Sequence, residues 1–119
     1  MSVASKLQLT SEHVVALLDV PEDVTLDLPD GTTRTDSPDG ADAVVVFVHD
    51  TAELEERAEP ALDAARRDAL AWICYPKSGQ LGTDLNRDRL WQALEPKGVR
   101  PVRQVAVNDI WSALRFRPA

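Results

Sequence analysis

The chain has little cysteine, little glycine and no long apolar run, and each shortage removes a class of protein. Its one cysteine, Cys74, has no partner within the chain, so no disulfide framework is expected and a reducing cytoplasm fits best. The longest apolar run, Ala41 to Val48, is interrupted by Asp42 and falls far short of the roughly 20 residues that cross a bilayer. No membrane span is expected. Met1 to Leu9 lacks the apolar core and small-residue cleavage pattern of a secretory signal. The first glycine is Gly31, so the glycine-rich turn of dinucleotide-binding proteins is missing. Two histidines and one apolar-flanked cysteine make no recognisable metal set, although carboxylate-only binding stays open with 16 acids in residues 1 to 70. Neither an internal repeat nor a low-complexity tract is present.

What is present suits one α/β domain. At 119 residues and 44% hydrophobic, the chain can complete one core but not two. The net charge of −7 hides a split: residues 1 to 70 hold 5 basic and 16 acidic residues, whereas residues 71 to 119 hold 8 and 4. The plain consequence is solubility and mutual attraction of the two parts within one fold. The sharper one is a basic face that binds an anion. Arginines interleaved with Trp91, Trp111 and Phe116 also resemble a nucleic-acid surface, but an acidic chain repels phosphate backbones at long range.

His13 to Val20 is a nearly continuous Val/Ala/Leu run, the pattern of a strand covered on both faces, and Pro21 ends it. Val24-Thr25-Leu26-Asp27-Leu28 alternates and predicts a short second strand before the turn chemistry of Pro29-Asp30-Gly31. Ala43 to Val48 is the clearest buried strand, with His49 and Asp50 at its exit. Asp50 and Glu53 resemble a capping box, after which Leu54, Ala58, Ala61, Leu62 and Ala65 share a helical face. Pro60 falls inside that pattern and predicts a kink or two short helices.

Ala69 to Tyr75 is another apolar strand. Beyond it, Thr83 or Asp84 can cap a helix whose Leu90, Trp91 and Leu94 face inward and which Pro96 and Gly98 stop. Val102 to Val107 and Ile110 to Phe116 read as final strands. With only Asn108 and Asp109 between them they must form an antiparallel hairpin. Alternation of strands and helices before that point calls for a mainly parallel sheet.

These residues carry two resemblances. Asp42-Ala43-Val44-Val45-Val46 before a helix, Ala71 to Lys77 after it, and the terminal hairpin are similar to the second half of a class I S-adenosylmethionine-dependent methyltransferase fold. The Tyr75-Pro76-Lys77 and Thr83-Asp84-Leu85 segments, with Arg100 to Ala106 and Trp111-Ser112-Ala113-Leu114-Arg115-Phe116-Arg117, closely resemble a family of small bacterial proteins classed as a domain of unknown function. That match covers roughly residues 42 to 118 well and 6 to 30 weakly. It implies a small Rossmann-like domain and no activity, because fold is not function. Where methyltransferases that bind the cofactor place a glycine-rich loop, this chain has Asp19-Val20-Pro21-Glu22-Asp23, whose acids are poor neighbours for phosphate. Neither S-adenosylmethionine nor a nucleotide is therefore expected in the usual manner, and no cofactor is assigned.

In open α/β sheets, ligands bind beyond the carboxyl ends of the parallel strands. Those ends present Asp19, His49 with Asp50, and Tyr75 with Lys77. A parallel penultimate strand would bring Asn108, Asp109 and Trp111 to the same edge, and Asp84 and Arg87 are expected close to Lys77. The candidate ligand-binding set is Tyr75, Lys77, Ser78, Arg87, Asn108, Asp109 and Trp111, a concave polar site for a small anion or a partner's loop. Each residue also has a plainer role, which the pattern favours. Lys77 pairs with Asp84 or Asp109, and Ser78 lacks the preceding glycine of a nucleophile elbow. His49-Asp50 is a strand-end histidine and a helix cap rather than a base with its carboxylate. Cys74, Trp72 and Trp91 belong to the core. Arg115, on one strand face with Trp111, Ala113 and Arg117, needs a partner and is expected to bridge to an acid of the first part.

The expectation is a single α/β domain, Rossmann-like, with a mostly parallel sheet ending in an antiparallel hairpin and helices packed on it. Its expected role is binding, without catalysis, of a protein partner or small anion at the carboxyl edge. The alternatives are an enzyme with an unrecognised site at that edge and, more weakly, nucleic-acid binding through Arg87, Arg89, Arg100, Arg103 and Arg117. Dimerisation by an open sheet edge after Phe116 is permitted but not required.

Overall fold

The structure, a computed structural model, describes residues 3–22 and 24–119. In chain order the elements are α1 (Val3–Lys6), β1 (Val14–Leu18), β2 (Thr33–Thr35), β3 (Ala43–Phe47), α2 (Thr51–Arg57), α3 (Glu59–Arg66), β4 (Leu70–Pro76), α4 (Arg87–Leu94), β5 (Val99–Ala106) and β6 (Trp111–Pro118). Asp23, expected beside Glu22 to repel phosphate, lies outside the described residues, as do Met1 and Ser2 of the amino-terminal segment.

The six strands make one sheet in the order β2-β1-β3-β4-β6-β5. β1 pairs in parallel with β2 and β3, and β3 with β4; β6 is antiparallel to both β4 and β5. β5 therefore runs the same way as β4, and the β5–β6 turn arrives at the carboxyl end of β4. At the centre, all five residues of β3 are buried, as its unbroken β-branched and aromatic run requires of a strand covered on both faces.

The two faces are covered differently. One packs Val44, Val46, Ile73, Leu114 and Phe116 against Leu54, Ala61, Leu62, Leu90 and Leu94 of the helices. Burial of Leu90 and Leu94 contributes roughly 1.5–3 kcal/mol each to holding α4 on the sheet. The opposite face packs Val45, Phe47, Trp72, Cys74 and Trp111 beneath Ala4, Leu7 and Leu9. Trp72 Nε1 donates to the Leu7 carbonyl at 3.0 Å, which gives a buried indole the acceptor it needs.

Pro60 divides the helical stretch into α2 and α3, as expected, with Ala58 as the joint. Four other expectations need correction. Val24, Leu26 and Leu28 do alternate inward, but they lie on the opposite face of the sheet as part of its core and join no ladder. The second strand is instead Thr33–Thr35, because the segment after β1 serves as the cover that a crossover helix would otherwise supply.

Helix α4 is capped by Asn86, whose Oδ1 accepts from Arg89 N at 2.9 Å, because Thr83 and Asp84 are used elsewhere. Trp91 is 41% exposed: it sits about 100° around the helix from Leu90, outside the Leu90–Leu94 stripe. Finally, β6 is interior and β5 is the edge. Pro101, which has no N–H, and a register shift between Pro101 and Arg103 interrupt that edge, features that discourage strand addition.

Candidate functional site

The carboxyl edge between β4 and β6 is built by register. Tyr75 faces Ser112 and Pro76 faces Trp111 across the antiparallel pair, while the Lys77 N–H donates to the Ile110 carbonyl at 2.7 Å. Side chains alternate across a strand, so Tyr75 and Ser112 share the helical face with Gln104, whose partner in register is Leu114. Gln104 Nε2 donates to the Tyr75 hydroxyl at 3.1 Å and to Ser112 Oγ at 3.2 Å, and Ser112 Oγ donates to the Val105 carbonyl at 3.3 Å.

Above this polar floor lies a cleft of about 230 Å³ lined by Tyr75, Lys77, Ser78, Asn86, Arg87, Gln104 and Ser112. Its rim is cationic, and among the described residues neither Lys77 nor Arg87 takes part in an ion pair. Burial raises the Tyr75 pKa above its ordinary value, while the hydrogen bond with Ser112 and the charge of Arg87 pull the other way. The phenol is therefore neutral at physiological pH. What the cleft offers is two cations and a hydrogen-bonding floor, the requirements for holding a carboxylate or phosphate.

Four of the seven candidates, Tyr75, Lys77, Ser78 and Arg87, line this cleft, and three do not. Asn108 Oδ1 accepts from the backbone N–H groups of Ile110 and Trp111, both at 2.8 Å, and so holds the hairpin turn. Asp109 is exposed on that turn. Trp111 is buried on the opposite face, edge-on to Phe47 with ring centroids 5.4 Å apart, because it is one residue out of phase with Ser112. Gln104, Ser112 and Asn86 line the cleft without having been singled out. For Ser112 the signal was the alternation with Leu114 and Phe116; for Gln104 it required the hairpin register, which the shift at Pro101 conceals.

Asp84 forms no ion pair with Lys77 among the described residues. Its Oδ1 accepts from Thr51 N at 2.9 Å, a bond that lowers its pKa below the ordinary carboxylate value, and Thr83 Oγ1 donates to the His49 carbonyl at 2.6 Å. The loop after β4 is thus stitched to the exit of β3. There His49, Asp50 and Glu53 each bring one potential ligand atom within 4.8 Å of the others. All three are already engaged. Asp50 Oδ1 accepts from Glu53 N, while Glu53 Oε1 accepts from His49 N at 2.9 Å and from Arg57 at 3.0 Å. His49 Nε2 faces the Leu81 carbonyl, which fixes that nitrogen as the donor. Neither histidine lines the cleft.

A larger hollow of about 340 Å³ lies between α2, α3 and α4, lined among others by Leu54, Leu62 and Leu94. It sits on the helical layer and touches no strand end.

Arg115 corrects another expectation. Its NH1 donates to Gln8 Oε1 at 2.8 Å rather than to an acid, and the acid of the first part goes to Arg117, which meets Asp68 at 2.9 and 3.0 Å. The five arginines of the nucleic-acid alternative do not form one surface. Arg87 and Arg89 ride on α4 over the helical face, whereas Arg100 pairs with Arg117 and Arg103 with Arg115 on the other side. Comparison with protein-family models and with curated proteins finds no match for this chain.

Proposed function

We propose that this chain is a Rossmann-like binding domain, without a reaction of its own, that holds a small anion in the cleft between Tyr75, Lys77 and Arg87. The observation that carries the proposal is the pair of cations on the rim, which among the described residues have no ion-pair partner, above a floor of hydrogen-bonded polar groups. A cleft of about 230 Å³ is below the range of roughly 300–1,000 Å³ typical of whole-ligand pockets. It suits an anionic group better than a complete nucleotide. Among the described residues no histidine lines the cleft, and His49 Nε2 is held by a carbonyl, which supports binding over catalysis by a histidine general base.

The parallel set β2-β1-β3-β4, whose order reverses at β1, supports the Rossmann-like reading, and the final hairpin supports the likeness in fold to class I methyltransferases. Asp19, at φ 59°, stands where a cofactor-binding glycine loop would begin, which argues against S-adenosylmethionine there. Tyr75-Pro76 and Trp111-Ser112, from the two segments that carry the resemblance to the bacterial family of unknown function, are direct neighbours in the sheet. The single buried thiol is in keeping with a reducing compartment.

A thermal-shift screen with phosphate, sugar phosphates and di- and tricarboxylates tests the proposal. A ligand at a hundredfold excess over its Kd adds about 2.7 kcal/mol to the native state. The expected result is a stabilising anion whose effect disappears in Lys77→Ala. Stabilisation that survives both Lys77→Ala and Arg87→Ala would overturn the assignment.

A further inference from the structure

The hairpin places four arginines on the face of the sheet away from the cleft. Arg100 lies opposite Arg117 and Arg103 opposite Arg115 in the β5–β6 register, and Arg115 and Arg117 share a face because they are two residues apart. Strand geometry puts their four Cα atoms at the corners of a figure roughly 5 by 7 Å. Like charges directly opposite each other oppose pairing of the strands, yet this hairpin carries two such pairs in succession.

Among the described residues the one acid in an ion pair with the group is Asp68, which accepts from Arg117 Nε and NH2. Asp68 feels the charges of Arg115 and Arg100 as well, and Arg115 feels Arg117 and Arg103, so the cluster is electrostatically one. Four cations against one carboxylate leave a surplus of three positive charges. The Arg103 side chain donates no hydrogen bond among the described residues, and Arg100 and Arg103 are exposed. The chain as a whole is acidic, with a net charge of −7.

We propose that the Arg100–Arg103–Arg115–Arg117 cluster is a second binding site, for a compact oligophosphate. Guanidinium forks match phosphate oxygens in pairs, and adjacent phosphate groups supply the several negative charges that relieve both cross-strand repulsions together. Compactness follows from charge. At about 0.1 M salt the field is screened over roughly 10 Å, so a small ligand meets the cluster without meeting the acidic first part of the chain. A long polyanion meets both. The site stands on the opposite face from Tyr75 and Ser112, so it does not rest on the cleft.

The test is isothermal titration of the full chain with inorganic tripolyphosphate, and with orthophosphate and a single-stranded oligonucleotide for comparison. The result expected is saturable binding of tripolyphosphate, stronger than orthophosphate and weakened at least tenfold in Arg100→Ala/Arg103→Ala. If the double variant does not fold, Arg103→Glu alone carries the same expectation, since the Arg103 side chain makes no hydrogen bond among the described residues that the fold would lose. Absence of saturable binding, or equal binding by the native chain and the folded variant, overturns the site. An oligonucleotide that outcompetes tripolyphosphate overturns the compact-ligand assignment and gives the cluster to nucleic acid.

Discussion

Asp68 and Arg117 are joined side by side, Nε to Oδ1 at 2.9 Å and NH2 to Oδ2 at 3.0 Å, although 49 residues separate them in the chain. The contact ties the turn before β4 to the last strand, and so the acidic part of the chain to the basic part. The hydrogen bond from Arg117 holds the Asp68 carboxyl below its ordinary pKa of 3.8. A depressed carboxylate contributes stability that is complete above the unfolded value and is lost as pH falls through the folded one. Asp68→Asn removes the charge yet tolerates the left-handed backbone at φ 61°. The variant should therefore melt slightly below the native chain at neutral pH, and the gap should close as pH falls from the ordinary carboxylate value through the lower folded one. A gap independent of pH would show that the ion pair contributes nothing.

Tyr75 is the one tyrosine in the chain, so ultraviolet absorbance against pH reports it alone. Burial holds its phenol above the ordinary value of 10.0. Native protein should titrate later than protein in denaturant, and stability should fall as pH rises from the unfolded value through the folded one. Gln104→Ala, which removes a hydrogen bond to the phenol, should shift the curve while leaving the secondary structure intact. Superimposed native and denatured curves would contradict the buried floor of the cleft.

Cys74 is the one cysteine and is fully buried in β4, where desolvation raises its pKa far above that of a free thiol. A thiol reagent should react only when the chain opens, at a rate that follows unfolding. Trp72→Phe leaves the Leu7 carbonyl without its donor and should cost about 1–3 kcal/mol. The same reagent should then react faster in proportion.

Asn86 caps α4 and also lines the cleft. Asn86→Ala should cost about 0.5–2 kcal/mol, read from denaturant midpoints. Thr83→Ala should instead loosen the loop held to His49, with little effect on helix content by circular dichroism.

Local rules made the strand and helix cores legible. Ala43 to Val48 could only be a buried strand, Pro60 had to divide its helix, and two residues between Val107 and Ile110 left room for a hairpin alone. What escaped depended on partners distant in sequence. Val24, Leu26 and Leu28 have the right period for a strand, but whether such a segment joins a ladder or lies across one is decided by the sheet face it meets. Asn86, Thr83 and Asp84 are all good caps, and the exit of β3 claims two of them. Tyr75, Lys77, Ser78 and Arg87 came together because a strand end and a helix start fall near each other in sequence. Gln104 joins them only through a hairpin register shifted at Pro101.

The central claim, an anion held between Lys77 and Arg87, is tested most directly by following backbone amide resonances while inorganic phosphate and then citrate are added. The account predicts saturable shifts concentrated at Lys77, Ser78, Asn86, Arg87 and Ser112 for at least one of the two, and their loss in Lys77→Ala. Shifts confined to Arg103, Arg115 and Arg117, or none that saturate, would contradict it.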